Sequence, residues 1–345
     1  MRVRSLAVFM ALTVVVARHD GLDARAMGAQ SDPGTVDAHL AAARAAAGQE
    51  YDHIFHLLCD ATEPVPAVRG GQPPAAGRSQ GPPDRSTWHA EPIRVFDNLY
   101  WVGQTEYSAW AVNTSDGIIL VDTIYGYSVE DEVVEGLKKL GLDPAKIKYA
   151  IVSHGHSDHS GGARYLQEHF GTRVLLSAAD WDLLDRSPEP KPKRDMVVTD
   201  GQKLTLGDTT LTMYLTPGHT QGTISTLIPV KDNGKPHLVA LWGGTLFNWI
   251  RGRAAYITSA TPDSYWFENY STSARRFRDI VAKTGADIIL SNHTDFDGSK
   301  RKLPAVMNRK PGDPNPYVVG NESVKRYLTV ADECAKAGLL RVSRQ

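Results

Sequence analysis

The chain has 345 residues, and its 38 Lys and Arg nearly balance its 39 Asp and Glu, which gives a formal net charge of −1. A chain without a large positive field is not expected to have nucleic acid as its main partner. A content of 41% hydrophobic and 22% charged residues indicates a globular protein. The 2 cysteines exclude a disulfide scaffold and a cysteine-rich zinc finger. Cys59 and Cys334 are either paired or separate thiols, and the sequence leaves both open.

The amino terminus has the pattern of an export signal. Two arginines precede an uncharged run at residues 6–17, which is shorter than the roughly 20 residues needed to span a bilayer. We therefore predict a signal peptide at residues 1–26, cleaved after Ala26 or after Ala17, and export to a bacterial periplasm. An uncleaved anchor or a misassigned start codon is the alternative. No second long apolar run follows, so no membrane association is expected after cleavage.

Three regions are predicted after the signal. Residues 27–60 read as a helical extension. Residues 61–90 are rich in Pro, Gly, Ser and Arg, a composition that cannot bury enough surface to order itself and therefore predicts a flexible linker. Residues 91–345 are predicted to form one catalytic domain.

Groups of short β-rich runs alternate with helical patterns along the chain. Strands are predicted at residues 93–95, 100–102, 110–112, 118–121, 148–152, 173–176, 203–206, 210–215, 223–230, 238–241 and 287–290. Helices are predicted at residues 36–58, 128–140, 162–170, 177–184, 263–283 and 323–337. Strands in groups, with helices between and after them, indicate mixed sheets covered by helices.

A cluster of metal-binding residue types follows the predicted strand at 148–152. His154 and His156 are two positions apart, so in an extended segment both side chains point to the same side and can bind one ion. Asp158 and His159 come after the chain starts to turn and can face a second ion. Imidazole and carboxylate groups suit Zn²⁺.

Two further histidines occupy the same kind of position. His219 follows the predicted strand at 210–215, and His293 follows the one at 287–290. Sites form on loops at the ends of rigid strands. One loop cannot complete a catalytic zinc centre, which typically takes three protein ligands and a water. We therefore expect His219 and His293 to complete the site.

The string SHGHSDHSGG, followed by TPGHT and then SNH, resembles the metallo-β-lactamase superfamily. The resemblance covers about residues 93–302. It implies an α/β fold, a four-layer αββα sandwich in which two mixed β-sheets are flanked by helices, with metals at one edge.

The resemblance also implies a ligand set. Gly244 stands where some related hydrolases have a bridging Asp, and Thr245 stands where others have a Cys ligand. The remaining set is similar to subclass 3 of the class B β-lactamases. It places one Zn²⁺ on His154, His156 and His219 and a second on Asp158, His159 and His293.

Substrate recognition departs from that pattern. Phe247 stands where a small hydroxyl residue would bind a β-lactam carboxylate, which leaves Thr245 and Asn248 as candidate substrate-binding residues. The segment at residues 301–320 is longer than a minimal enzyme needs and is a candidate for shaping the cleft. Five aromatic residues are candidates either for lining a substrate groove or for packing: Trp101, Tyr107, Trp110, Trp249 and Tyr256.

The predicted activity is hydrolysis of the β-lactam amide in a small-molecule substrate by a dizinc-bound hydroxide. Asp158 is expected to be both a ligand and a catalytic group that orients the water or moves its proton. One alternative is a related metal-dependent hydrolase of lactones, thioesters or phosphate or sulfate esters. The other is a mononuclear iron redox enzyme, or a metal-binding protein without turnover.

Overall fold

A computed structural model describes residues 34–63 and 81–343. The larger of its two sheets has seven strands in chain order: β1 (Ile93–Arg94), β2 (Leu99–Trp101), β3 (Trp110–Thr114), β4 (Gly117–Val121), β5 (Ile147–Ile151), β6 (Arg173–Ser177) and β7 (Met196–Val198). Strands β1 to β4 pair antiparallel, whereas β4 to β7 pair parallel. The larger sheet is therefore mixed.

The smaller sheet is formed by the later strands β8 (Gln202–Leu206), β9 (Thr209–Leu215), β10 (Ile224–Asp232), β11 (Lys235–Trp242) and β12 (Ile288–Ser291). Its spatial order is β12-β11-β10-β9-β8. Only β11 and β12 pair parallel, so this sheet is mixed as well.

The helices of the described residues are α1 (Val36–Ala47), α2 (Asp52–Cys59), α3 (Glu135–Lys139), α4 (Ser157–Ser160), α5 (Ala163–Phe170), α6 (Ala178–Arg186), α7 (Asn248–Arg251), α8 (Arg253–Tyr256), α9 (Asp263–Thr284), α10 (Ser299–Met307) and α11 (Asn321–Val342). A π-helical turn at Glu130–Val134 leads directly into α3. Short 3₁₀ turns connect several of the other elements.

Alternation along the strands places the main core between the two sheets. In β3, Trp110 and Val112 point into the inter-sheet core, while Ala111 between them faces the helices on the other side. Leu211 and Met213 of β9 meet the same core from the smaller sheet. Most strand residues are buried because both faces of each sheet are covered.

Helices cover both outer faces. The residues of α3 and α5 bury apolar side chains against the larger sheet, and Trp181 of α6 packs beside them. On the other side, α9 and α11 cover the smaller sheet. The predicted fold class, a four-layer αββα sandwich of two mixed sheets, is confirmed.

The amino-terminal helices pack against α11 and share its apolar core. The helix predicted at 36–58 is two helices, because Gly48 ends α1 with a φ of 53°, a conformation that glycine adopts without strain. Cys59 at the end of α2 forms a disulfide with Cys334 of α11. The structure thus pairs the two cysteines, which the sequence left open.

Several elements differ from the sequence-based expectation. The strand β7 and the short helices α4, α7, α8 and α10 were not predicted. The segment at residues 301–320 contacts the end of the sandwich remote from the metal-binding loops, where Arg309 pairs with Asp232 at 2.6 Å and Asn315 donates to the Val95 carbonyl. It does not shape the cleft, and that expectation was wrong.

The predicted signal peptide and most of the predicted linker, residues 64–80, lie outside the described residues. Within the described ranges, no helix is long and apolar enough to cross a membrane.

Candidate metal centre

The centre is built on loops that follow the carboxyl ends of strands. Parallel pairing aligns the ends of β4 and β5 in one sheet and of β11 and β12 in the other. The two sheets meet at this edge, where the Ile224 amide donates to the Ser153 carbonyl. All six predicted metal ligands lie at this edge: four are on loops, and Asp158 and His159 are on the short helix α4.

The first three imidazoles converge on one point. His219 Nε2 lies 3.1 Å from His154 Nε2 and 3.2 Å from His156 Nδ1. These three residues form a group whose candidate ligand atoms all lie within 4.8 Å of one another. We refer to His154, His156 and His219 as the first triad.

Hydrogen bonds behind the rings show why a cation fits there. His154 Nδ1 donates to the Gly243 carbonyl at 2.8 Å, and His219 Nδ1 donates to the Leu246 carbonyl at 2.7 Å. A carbonyl can only accept, so both Nδ1 atoms carry the proton. Burial lowers the pKa of both rings well below the usual value, so they are neutral and both Nε2 atoms point lone pairs at each other. A bound cation satisfies both, and the donor set fits zinc.

The other three predicted ligands form a second triad of Asp158, His159 and His293. His159 Nε2 lies 3.1 Å from Asp158 Oδ2 and 3.2 Å from His293 Nε2. The Asp158 Oδ2 atom lies 3.5 Å from His293 Nε2. The His154 and His159 ring centroids are 4.3 Å apart, so the two triads are adjacent.

The electrostatics of the two triads suit metal binding. Burial lowers the pKa of His156 to about 4 and the pKa of His293 to about 3, so both imidazoles stay neutral. Burial alone would raise the pKa of Asp158, but His159 and His293 hold it well below its usual range. Burial would lower the pKa of His159, but Asp158 and Asp122 raise it to about 10, so a metal must displace a proton from this ring. The site therefore offers an ionised carboxylate and neutral imidazoles at the other four histidines.

Two buried aspartates next to the triads were not predicted from the sequence. Asp122 Oδ2 lies 3.1 Å from His159 Nδ1, and the Ser153 amide and hydroxyl also donate to Asp122. Asp180 accepts from the Gly155 amide and the Thr220 hydroxyl, so it joins the two ligand-bearing loops. Asp122 directly follows β4, the same signal that identified His219 and His293.

Asp122 also has an unusual backbone conformation. Its φ is 63°, a value that few residues other than glycine adopt and that asparagine tolerates better than most. Such strain is retained where the surrounding structure requires it, often at functional sites. The carboxylate thereby reaches His159 from the end of β4.

Exchange of Asp122 for asparagine tests this contact. Asp122→Asn keeps the size and tolerates the positive φ, but it removes the charge beside His159 Nδ1. We expect a roughly 10- to 100-fold weaker affinity at the second triad, the usual effect of removing a partner that orients a ligand. Competitive zinc titration against a chelating dye measures it, with the exposed Asp116→Asn as control. Equal affinities in both variants would contradict this role.

The two candidate substrate-binding residues lie in different surroundings. Asn248 is at the centre, with Nδ2 3.3 Å from His219 Nε2. Thr245 is 1% exposed, and its hydroxyl lies 3.3 Å from the Tyr327 hydroxyl, on the side of the smaller sheet that the helices cover. The structure brings Asn248, but not the Thr245 hydroxyl, to the first triad.

Of the five candidate aromatic residues, three lie in the core and two lie at the metal centre. Trp101, Trp110 and Trp249 are buried and pack in the core. Tyr256 lies at the centre, with its hydroxyl 2.7 Å from His156 Nε2. Tyr107 packs edge to face against His293, with ring centroids 5.0 Å apart.

Gly244 packs directly against the side chain of His219 in the first triad. A Cβ atom at this position would lie 2.5 Å from the Cβ of His219, which is closer than real Cβ atoms approach. A carboxylate ligand at position 244 would therefore displace His219. The local packing explains why this position carries no acidic residue.

Known proteins share this architecture. Residues 102–232 match the family model described as "Metallo-beta-lactamase superfamily". The crystal structure of BJP-1, a subclass B3 metallo-β-lactamase of Bradyrhizobium japonicum, is similar with a TM-score of 0.59 and 27% sequence identity. The similarity covers 76% of this chain and 98% of BJP-1.

Curated relatives with other activities are also similar. The N-acyl homoserine lactonase AttM of Azorhizobium caulinodans is 26% identical over 203 residues, which is 51% of this chain and 69% of AttM. The hydroxyacylglutathione hydrolase of Acidiphilium cryptum is 32% identical over 108 residues, which is 31% of this chain. That match spans only 39% of the Acidiphilium protein.

Proposed function

We propose that this chain, whose residues 102–232 match the metallo-β-lactamase superfamily model, is a metal-dependent hydrolase that opens the amide bond of β-lactam rings. The observation that carries the proposal is the donor set, five histidines and one aspartate in two adjacent triads without a cysteine. The similarity to the subclass B3 enzyme BJP-1 supports it.

The metals are proposed to be two zinc ions per chain. The first triad would hold one, and the second triad would hold the other. When bound, zinc lowers the pKa of water toward ~7 and polarises a carbonyl oxygen. The Gly243 and Leu246 carbonyls keep two imidazoles of the first triad in the tautomer that binds metal.

Asp158 is the proposed catalytic residue as well as a ligand. Its carboxylate is ionised, and its Oδ2 atom lies between two imidazoles of the second triad. It can accept a hydrogen bond from a water molecule, orient that water toward the substrate carbonyl and accept its proton. No serine or cysteine nucleophile is then required.

Asn248 is the proposed substrate contact. Its amide lies beside the first triad, where a donor can reach the carbonyl or carboxylate of a bound substrate. Thr245 is proposed to support this loop from the interior, because its carbonyl accepts a hydrogen bond from the Tyr270 hydroxyl. The substrate is a small molecule in either case.

A second candidate function is lactone hydrolysis. The similarity to the lactonase AttM favours it. The packing of Gly244 against His219 weighs against it, because a bridging carboxylate of the lactonase kind has no room there. The two candidates differ in substrate and share the metal centre.

Export to the periplasm is proposed on two grounds. The amino-terminal sequence predicts a signal peptide. Independently, a disulfide links Cys59 to Cys334, and disulfides persist in oxidising compartments such as the periplasm. Both agree with an enzyme that meets cell-wall antibiotics.

The direct test is turnover of a penicillin, a chromogenic cephalosporin and a carbapenem, beside a lactone and a phosphodiester. We expect hydrolysis of at least one β-lactam. Activity should be lost when a chelator removes the metal and should return when zinc is added, because metal-activated water is the proposed nucleophile. Metal analysis should give two zinc ions per chain.

Other outcomes would separate the alternatives. Lactone turnover without β-lactam turnover would favour the second candidate. One iron per chain would indicate the redox alternative, and metal binding without any turnover would overturn the hydrolase proposal.

A further inference from the structure

A series of aromatic rings leads from the second triad to the protein surface. His293 packs against Tyr107, and the Tyr107 ring meets Tyr125 edge to face, with centroids 5.1 Å apart. Tyr125 and Tyr127 are stacked, with centroids 5.1 Å apart and an interplanar angle of 16°. Beyond them, Trp88 meets Tyr127 at 5.6 Å. The rings form a continuous path outward from a metal ligand.

This path borders a cavity of about 940 Å³. We call it the tyrosine cavity, defined by the lining residues Tyr125, Tyr127, Tyr165, Ser157 and Gly161. Ser157 directly precedes the candidate ligand Asp158, so the metal-binding turn contributes to one wall of the cavity. Its size is in the range of pockets that hold small molecules or their substituents.

Three tyrosines line the cavity: Tyr125 and Tyr165 are partly buried, and Tyr127 is exposed. Tyr127 is 38% exposed, which is unusual for a large ring that already has two aromatic neighbours. Exposed rings beside a cleft are available to a ligand, and a third ring can meet a stacked pair edge to face. The cavity therefore favours an aromatic group.

The charges of the lining argue against an acidic group. Its one cationic side chain among the described residues, Arg164, pairs with Glu168 at 2.8 Å. Glu189 also lines the cavity and adds a negative charge. A second carboxylate on the substrate would find no unpaired cation in this cavity.

We propose that the tyrosine cavity binds the side chain of the substrate, and that it selects an uncharged aromatic side chain through Tyr125 and Tyr127. The inference rests on the proposed function, since it assigns the part of the substrate that lies beyond the second triad. Tyr125 and Tyr127 are specificity-determining residues in this assignment, because they do not reach the reacting atoms.

Two penicillins that share one nucleus test the inference. Benzylpenicillin has an aromatic side chain, and 6-acetamidopenicillanic acid has a methyl group in its place. We expect kcat/KM to favour benzylpenicillin about 3- to 10-fold, mostly through KM, which corresponds to the usual strength of one aromatic pair. Tyr127→Leu should bring the ratio of the two kcat/KM values close to one.

Matched variants separate stacking from a structural effect. Tyr127→Phe keeps the ring and should keep the ratio. Tyr214→Leu removes a partly buried tyrosine on the smaller sheet, outside the cavity, and should also keep the ratio. An unchanged ratio in Tyr127→Leu, or an equal loss on both penicillins, would overturn the proposal.

A binding measurement keeps the inference independent of turnover. Calorimetric titration of the zinc-loaded protein with phenylacetylglycine and with acetylglycine should show tighter binding of the aromatic probe, and Tyr127→Leu should remove the difference. If no β-lactam is hydrolysed, the proposed function fails, while these two probes still test the cavity. Equal binding of both probes to the unmodified protein would refute the aromatic selection.

Discussion

Replacing His156 with alanine is expected to reduce hydrolysis by roughly a hundredfold or more and to lower the zinc content by one ion per chain. The first triad then retains only His154 and His219, whereas a stable catalytic zinc site takes three protein ligands. Removal of a group that only orients a ligand already costs about 10- to 100-fold, so loss of a ligand should cost more. Steady-state kinetics and metal analysis of the purified variant measure both effects.

A histidine outside the centre provides the control. His169 is exposed on α5, and its Nδ1 atom contacts the Tyr165 carbonyl within the same helix. His169→Ala should keep full zinc content and turnover. If His156→Ala matched His169→Ala in both measurements, the assignment of the first triad would be wrong.

Loss of the disulfide should lower the free energy of unfolding by about 2–5 kcal/mol. The bond joins residues 275 positions apart, so its removal frees the unfolded chain over most of its length. Cys59 and Cys334 are buried, and alanine is the smallest replacement that adds no polar group there. Urea unfolding of the double variant Cys59→Ala/Cys334→Ala, followed by circular dichroism, measures the change.

Reduction of the natural protein separates the cross-link from the side chains. The reduced protein retains both sulfur atoms, so its loss of stability reports the missing bond alone. We expect the reduced protein and the double variant to unfold at similar urea concentrations. If the oxidised protein were no more stable than the reduced protein and the double variant, the disulfide would contribute nothing to stability.

The metal ligands could be predicted because each one follows a strand. His154, His219 and His293 each lie within four residues after the end of a strand, and loops at these strand ends gather at one edge of the two sheets. The structure brings these residues together with the rest of the 154–159 turn. The four-layer architecture was predicted from the resemblance of the histidine motifs to the metallo-β-lactamase superfamily. The strand pattern alone indicated only mixed sheets covered by helices.

Other features depend on contacts between distant parts of the chain. Nothing near Cys59 in the sequence indicates that α2 packs against α11, so the pairing with Cys334 could not be decided. Buried carboxylates such as Asp180 look like surface residues until their partners are known. The segment at 301–320 was misassigned because its length says nothing about which end of the sandwich it covers.

Each sheet comes from a separate stretch of sequence, the larger from residues 93–198 and the smaller from residues 202–291. The turn at 154–159 belongs to the first stretch, whereas His219 and His293 follow strands of the second. Neither triad is complete until the two sheets have docked. An ion bound there acts as a noncovalent cross-link between the two halves, and its binding free energy adds to the cohesion of the folded domain. Metal uptake at both complete triads would therefore follow the docking of the two sheets, since each triad needs one histidine from the second stretch.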